Sequence, residues 1–141
     1  MVNEFKVDLT IRGEGKEIPW TLLKLDILVE DATCHDERNL VHYEQLGHLH
    51  SLCQSRLYKH EKPICDLYSC LHSFCISLQL EVLFNQVQKL HAHRWRQYLS
   101  IEKYEEGAKL VIAYWKEGDS PATITVQVNQ THTSGSQIYL E

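Results

Sequence analysis

The sequence contains little glycine and proline: there are six glycines and three prolines in 141 residues, and neither type occurs between Pro63 and Gly107. Residues that interrupt helices are therefore missing from 43 consecutive positions, 64–106. This absence excludes frequent turns and predicts one long helix. Residues 67–80 inside it also lack any formal charge, which indicates a helix that is largely covered by other parts of a protein.

Two apolar series run along this predicted helix. Both follow the three- and four-residue steps that place side chains on one side of a helix. The first series is Ile64, Leu67, Leu71, Phe74, Leu78 and Val82, and the second is Ile76, Leu80, Leu83, Val87 and Leu90. Because the two series lie on different faces, the helix must be covered twice, once by its own domain and once by something else.

Several signatures of function are also absent. There is no Gly-x-Ser-x-Gly motif, and Gly13-x-Gly15 lacks the third glycine and the following helix of a dinucleotide site. The net charge of −5 gives no overall electrostatic reason to bind nucleic acid or an anionic membrane. No signal peptide is visible, and the uncharged stretch 67–80 is too short to span a bilayer. These absences predict a non-enzymatic protein without a cofactor, direct nucleic-acid binding or membrane insertion.

The five cysteines do not predict a disulfide framework. Their number is odd, and Cys65, Cys70 and Cys75 fall in the long helix at steps of five, which share no common face. We expect reduced thiols in an intracellular protein.

Nine histidines raise the alternative of a small metal-dependent enzyme. His50 with Cys53, and His72 with Cys75, each have the i, i+3 spacing that could contribute to a tetrahedral zinc site. However, Cys53 and Cys75 both fall on apolar stripes, where a thiol packs as a small hydrophobic group. We therefore predict no metal.

The order of elements predicts an α+β fold. Strands are expected at about 5–12 and 23–30, helices at about 39–58 and 63–99, and strands at about 109–115 and 122–128. The order ββ-α-α-ββ predicts a mostly antiparallel sheet with both helices packed on one face. Residues 1–128 are expected to form a single scaffold module, and residues 129–141 a loose tail.

The first apolar series is expected to pack on the sheet. Leu71, Phe74 and Leu78 should form the core together with sheet residues Leu23, Leu25, Ile27, Leu110 and Ile112.

The second series has two possible occupants. Helix 39–58 could cover it within one domain, or a partner protein could cover its C-terminal part, Leu83, Val87 and Leu90. The first helix, about 30 Å long, is too short to shield a second helix of about 50 Å. We therefore predict a partner interface at these three residues.

Residues 91–96, His-Ala-His-Arg-Trp-Arg, mix basic and aromatic side chains, as surfaces that stack nucleic-acid bases do. The segment is short, and Glu102, Glu105 and Glu106 follow it. We interpret it as the basic C-terminal end of the helix.

Four stretches of the sequence resemble the Mediator complex subunit 14 family, in the same order along the chain. They are Ile18-Pro-Trp-Thr-Leu-Leu-Lys-Leu-Asp-Ile-Leu-Val-Glu-Asp31, Gln54-Ser-Arg-Leu-Tyr58, Glu61-Lys-Pro63 and Cys70-Leu-His-Ser-Phe-Cys-Ile-Ser-Leu-Gln-Leu-Glu-Val-Leu83. The resemblance extends from about Glu4 to Val128. The last stretch is long and unusual, which makes the resemblance specific.

This family is the scaffold subunit of the Mediator coregulator. The resemblance therefore implies a nuclear, non-enzymatic module that packs against other Mediator subunits and is linked indirectly to RNA polymerase II and transcription activators. It implies no catalytic or cofactor residues. Members of the family are far longer, so the chain is expected to correspond to one interior module. The alternative is a free-standing α+β protein-binding module outside Mediator.

Overall fold

The structure is a computed structural model of the chain and describes residues 3–13, 18–33, 40–59, 61–115, 120, 122–128 and 138–140. Within these residues the chain forms β1 (Phe5–Ile11), β2 (Trp20–Ile27), α1 (Tyr43–Lys59), α2 (Pro63–Ala92), β3 (Leu99–Glu105), β4 (Lys109–Tyr114), β5 (Ala122–Val128) and β6 (Ile138–Leu140). The predicted α+β class, with two helices between two groups of antiparallel strands, is confirmed.

The strands form two sheets, where the sequence suggested one. Among the described strands, β1 pairs with β2, while β3, β4, β5 and β6 pair in that order, and all pairs are antiparallel. The chain divides into two compact units, Met1–Cys75 and Ile76–Glu141. Because this boundary falls within α2, the N-terminal part of the helix belongs to the first unit and its C-terminal part to the second.

Local sequence explains where both helices begin. The backbone N–H of His42, the residue before α1, donates to Oε1 of Gln45 at 2.9 Å. A glutamine in the first turn of a helix can accept a hydrogen bond of this kind. α2 starts at Pro63, a favoured first residue because the N–H that proline lacks has no partner there. α2 ends at Ala92, earlier than the predicted end near Leu99.

A β-bulge in β2 turns one expected core residue outward. The register of β1 and β2 shifts at Leu9, which lies opposite Leu22, so Leu23 has no partner in the ladder. An extra residue resets the alternation of a strand. Leu22 and Leu25 are consequently both buried, whereas Leu23, expected in the core, is 57% exposed.

The core of the first unit brings together β2, α1 and the N-terminal part of α2. Its buried members are Leu22, Leu25, Leu49, Cys53, Leu57, Leu67 and Leu71. Ile27 and Phe74 are partly buried and pack against them. Side chains of α1, β1 and β2 therefore cover Leu67, Leu71 and Phe74 of the first apolar series, whereas Ile64 is 42% exposed.

Gln54 joins α1 to the backbone of β2. Its Oε1 accepts a hydrogen bond from the Leu22 N–H at 2.8 Å, and its Nε2 donates to the Trp20 carbonyl oxygen at 3.0 Å. Two backbone groups of a half-buried strand are thereby satisfied by one side chain.

In the second unit, β3 occupies residues that the sequence suggested were helical or irregular. Ile101 and Lys103 pair with consecutive residues of β4, so Glu102 is the extra residue of a bulge. The turn from β3 to β4 contains Gly107 with a φ of 66°. A Cβ there would lie 3.3 Å from Ser77 Oγ on α2, and both the backbone conformation and this close approach favour glycine.

The core of the second unit is formed by the C-terminal part of α2 with β4 and β5. Its buried members are Ile76, Leu80, Val87, Leu110, Ile112, Val126 and Val128. Phe84 stacks on Tyr104 with ring centroids 3.8 Å apart. Leu78, expected in the core, is partly buried.

The C-terminal tail, expected to be loose, includes one short strand. β6 pairs with residues 126–128 of β5. Residues 129–137 and 141 lie outside the described residues.

By length and composition alone, α2 is long and apolar enough to cross a membrane, although the uncharged stretch 67–80 by itself is too short. A core helix of a soluble protein passes the same test. In the structure, α2 supplies buried residues to the cores of both units. Packing within the chain therefore accounts for the buried apolar side chains of α2.

Candidate protein-interaction surface

The three residues expected to meet a partner, Leu83, Val87 and Leu90, have different surroundings. Val87 is 5% exposed and belongs to the core of the second unit, and Leu83 packs against the same core. Leu90 is 46% exposed. The sheet of the second unit therefore occupies the second apolar series as far as Val87 and leaves Leu90 on the surface.

Beyond α2 the chain makes a hydrogen-bonded turn before β3. The N–H groups of His93 and Trp95 both donate to the carbonyl oxygen of Leu90, at 3.2 and 3.4 Å. The N–H groups of Tyr98 and Leu99 donate to the carbonyl oxygen of Trp95, at 3.0 and 2.9 Å. These bonds keep the backbones of Leu90, Trp95 and Tyr98 close together.

Four aromatic side chains follow one another in this part of the second unit. Ring centroids lie 6.3 Å apart for Trp95 and Tyr98, 6.4 Å for Tyr98 and Trp115, and 6.5 Å for Trp115 and Tyr114, all edge to face. Trp95, Tyr98 and Trp115 are 48%, 40% and 55% exposed. We refer to these four residues as the aromatic cluster. Its three exposed rings form a contiguous aromatic surface, which is less usual than single exposed apolar residues.

Strand pairing assembles the aromatic cluster from distant parts of the sequence. Leu99, the first residue of β3, pairs with Tyr114, the last residue of β4. Their neighbours Tyr98 and Trp115 therefore lie side by side at the end of the ladder. The sequence pointed to Trp95 and its basic neighbours. It did not point to Tyr98, Tyr114 and Trp115 as a group, because the position of β3 was not recognised.

Trp115 has an unusual backbone conformation. Its φ of 57° lies in the left-handed region, and within the described part of the chain no other non-glycine residue has a positive φ. β-Carbons make this region unfavourable for every residue except glycine.

Two arginines flank Trp95. Arg94 and Arg96 are exposed and lie beyond the end of α2, so they are not part of the helix as the sequence suggested. No acidic residue occurs between positions 91 and 101. In the described part of the chain, neither guanidinium makes a hydrogen bond or ion pair. Segment 91–101 therefore carries basic and no acidic residues, on a chain whose net charge is −5.

Cys53, Cys75 and His72, which were considered as zinc ligands, make packing or hydrogen-bond contacts instead. Cys53 and Cys75 are both fully buried. His72 Nδ1 lies 2.6 Å from Glu4 Oε2 and the ring stacks on Tyr68. Among the described residues, no three histidine, cysteine or acidic side chains form a group that could hold a metal ion.

The described cysteines are free thiols with different environments. A hydrogen bond from Cys53 on α1 lowers the pKa of the half-buried Cys70 on α2, and Arg56 lowers it further. Burial raises the pKa of Cys75 to about 12. Cys53 on α1 and Cys70 on α2 therefore contact each other within the first unit. Cys75 remains a neutral thiol in the core.

Part of the chain matches a family of known proteins. Residues 91–136 match the family model described as "Mediator of RNA polymerase II transcription subunit 14, RM2". This range contains the aromatic cluster and strands β3 to β5.

Longer similarities extend over most of the chain. The chain is 48% identical over 114 residues to Mediator of RNA polymerase II transcription subunit 14 of Homo sapiens, covering 81% of this chain and 8% of that protein. The protein of the same name in Caenorhabditis elegans is 44% identical over 124 residues, 87% of this chain and 8% of its own length. That of Arabidopsis thaliana is 29% identical over 93 residues, 66% of this chain and 5% of its own length.

The chain thus spans less than a tenth of the length of these curated relatives. The similarity in sequence runs through both units, since a match of 81% of the chain is longer than either unit alone. Over these residues, the chain is homologous to a segment of Mediator of RNA polymerase II transcription subunit 14.

Proposed function

We propose that this chain is a non-enzymatic packing module of the Mediator complex in the nucleus. It contributes to RNA polymerase II transcription by binding other Mediator subunits, and it is linked through them to the polymerase and to transcription activators. The observation that carries this proposal is the 48% identity over 81% of the chain to a protein named as a Mediator subunit. The structure supports it by what lies exposed on the surface.

Both units expose large apolar or aromatic side chains. In the first unit Leu23 is 57% exposed and Tyr43 75% exposed, and in the second unit Leu90, Trp95, Tyr98 and Trp115 are exposed. Tryptophan, tyrosine and arginine are the residue types that most often dominate binding energy at protein interfaces. A module that works by burying surface against neighbouring subunits needs such residues, and it needs no reactive group.

Capture from nuclear extract tests the proposal. The tagged chain is expected to retain Mediator subunits, and Leu90→Glu should reduce their recovery about fivefold, the effect of losing roughly 1 kcal/mol at an interface. Gln88→Glu, at an exposed position nearby on α2, is the matched control and should leave recovery unchanged.

Circular dichroism first establishes that each variant is folded. A folded wild-type chain that retains no Mediator subunit above the level of an unrelated protein overturns the proposal. Normal recovery with Leu90→Glu would instead remove Leu90 from the interface and leave membership of the complex intact.

A further inference from the structure

Two thiols of the first unit contact each other from different helices. Leu49, Cys53 and Leu57 follow one another at steps of four on α1, and all three are buried in the core of the first unit. Cys70 on α2 is half-buried and packs against the same core. The thiol of Cys53 is hydrogen-bonded to the sulfur of Cys70. The two side chains therefore point at each other at short range, which a disulfide requires.

The two sulfurs differ in access to solvent and in charge. Cys53 is fully buried, and the hydrogen bond to Cys70 together with burial raises its pKa, so it keeps its proton. Cys70 reaches the surface, and the same hydrogen bond lowers its pKa. Arg56 lies three residues after Cys53 on α1, and its positive charge lowers the pKa of Cys70 further. Because a thiolate reacts with oxidants and a thiol does not, Cys70 is the sulfur that reacts first.

An accessible thiolate beside a second, protonated thiol is the arrangement by which oxidant-sensitive cysteines form a reversible disulfide. We propose that Cys53 and Cys70 are an oxidation site for hydrogen peroxide, which converts the pair to a disulfide that joins α1 to α2. In the reducing interior of a cell, disulfides of this kind are transient and form in response to an oxidant. The oxidation requires no other protein, so it does not depend on the proposed function.

The reaction has two steps. The Cys70 thiolate attacks one oxygen of the peroxide, the O–O bond breaks, and hydroxide leaves, which gives a sulfenic acid at Cys70. The sulfur of Cys53 then attacks the sulfenic sulfur, so an S–S bond forms and the S–O bond breaks. The Cys53 proton leaves with that oxygen as water, and the hydroxide takes up the proton that Cys70 had released. Two thiols are oxidised by two electrons in total, and one peroxide is reduced to two waters.

The other described cysteines lack one or other part of this arrangement. Cys75 is fully buried and burial raises its pKa to about 12, so it offers neither access nor a thiolate. Cys65 is exposed, but it lies five residues before Cys70, which places it about 140° away around α2. Oxidation is therefore expected to be selective for the pair of Cys53 and Cys70.

A metal ion fits these two sulfurs less well than an oxidant. A structural zinc site takes four ligands. Among the residues that the structure describes, no three histidine, cysteine or acidic side chains form a group that could hold a metal ion. Two thiols already in contact complete a disulfide with no further ligand.

Peptide mapping of the whole 141-residue chain tests this inference. The reduced, purified chain is treated with a few equivalents of hydrogen peroxide, denatured in iodoacetamide and digested with trypsin. Because trypsin cleaves after Arg56 and Lys59, the disulfide joins two peptides that are otherwise separate. Mass spectrometry should find this linked pair, and dithiothreitol should release both peptides. Cys70 should be consumed at least about tenfold faster than Cys75.

Variants identify the two partners. Cys70→Ser should remove the linked peptides. Cys34→Ser with Cys65→Ser leaves Cys53, Cys70 and Cys75 as the only thiols, and this matched control should form the disulfide as wild type does. Cys53→Ala should leave Cys70 as a sulfenic acid, which dimedone captures.

Two further measurements keep the test independent of variant folding. Circular dichroism establishes that each variant is folded. Dimedone added to wild type together with peroxide should label Cys70 and suppress the disulfide in proportion, which needs no substitution in the core.

Three outcomes overturn the inference. One is a folded wild-type chain that yields no linked peptides. Another is a disulfide that joins Cys70 to Cys34 or Cys65, or that joins two copies of the chain in place of the pair. The third is oxidation of Cys70 to a sulfinic acid without any disulfide, because it would show that Cys53 does not reach the sulfenic sulfur.

Discussion

Val87 and Leu90 belong to the same apolar series of α2, yet the structure gives them opposite surroundings. Val87 is 5% exposed within the core of the second unit, whereas Leu90 is 46% exposed. The difference arises because the core includes β4 and β5 residues that reach Val87, and the helix ends shortly after Leu90. Substitutions at Val87 and Leu90 are therefore expected to have different effects, although both residues are apolar and follow the same helical spacing.

Val87→Glu is expected to lower the free energy of unfolding by more than about 3 kcal/mol, because it leaves an unpaired charge in the core. Leu90→Glu should change it by no more than about 0.5 kcal/mol, as is usual at exposed positions. Urea denaturation followed by circular dichroism measures both. Similar destabilisation by the two substitutions would contradict the assignment of Leu90 to the surface.

Gln54 shows how a helix and a strand are joined through one side chain. Its amide makes hydrogen bonds of 2.8 and 3.0 Å to the backbone of β2, at Leu22 and Trp20. This part of β2 is also where the bulge at Leu23 allows Leu22 and Leu25 to enter the core together. The contact therefore supports both the position of α1 and the local path of the strand.

Gln54→Met keeps the size of the side chain and removes both hydrogen bonds. We expect the free energy of unfolding of the first unit to fall by about 1–3 kcal/mol, because two partly buried backbone groups lose their partner. Thermal unfolding measures the change. His48→Met, at an exposed position of the same helix, is the control and should have little effect. A Gln54→Met protein as stable as the control would show that water replaces the amide without cost.

α2 serves two cores along its length. Leu67, Leu71 and Phe74 pack with α1 and β2, and Ile76, Leu80 and Val87 pack with β4 and β5. The two cores share no buried residue. This arrangement explains why the helix is apolar on two faces, since each unit uses a different one.

Leu71→Ala and Leu110→Ala probe the two cores separately, because each side chain is fully buried in one of them. Each truncation should cost about 2–5 kcal/mol. Native-state hydrogen exchange should show faster exchange mainly in residues 3–75 for Leu71→Ala and mainly in residues 76–128 for Leu110→Ala. Equal loss of protection throughout the chain with either variant would instead support the single module over 1–128 that the sequence suggested.

Much of the fold could be predicted from the sequence because it depends on near neighbours. The absence of glycine and proline from positions 64–106 and the three- and four-residue steps indicated α2. Alternating apolar residues indicated β1, β2 and β5, and a run of β-forming residues indicated β4. The family resemblance, confirmed by the comparisons, also came from short stretches of sequence.

Other features depend on pairing between distant residues, which no local pattern records. β3 was missed because a bulge at Glu102 interrupts its alternation, and Leu23 was misplaced because a bulge resets the alternation of β2. The aromatic cluster exists only because Leu99 pairs with Tyr114.

The sequence by itself therefore determined the class of the fold, the long helix with two apolar faces and the family. Only the tertiary structure decided what covers each face, which leucines are buried and where the aromatic side chains meet. The physical reason is that helical and strand periodicity is set within a few residues, whereas register and burial are set by contacts between segments far apart in the chain.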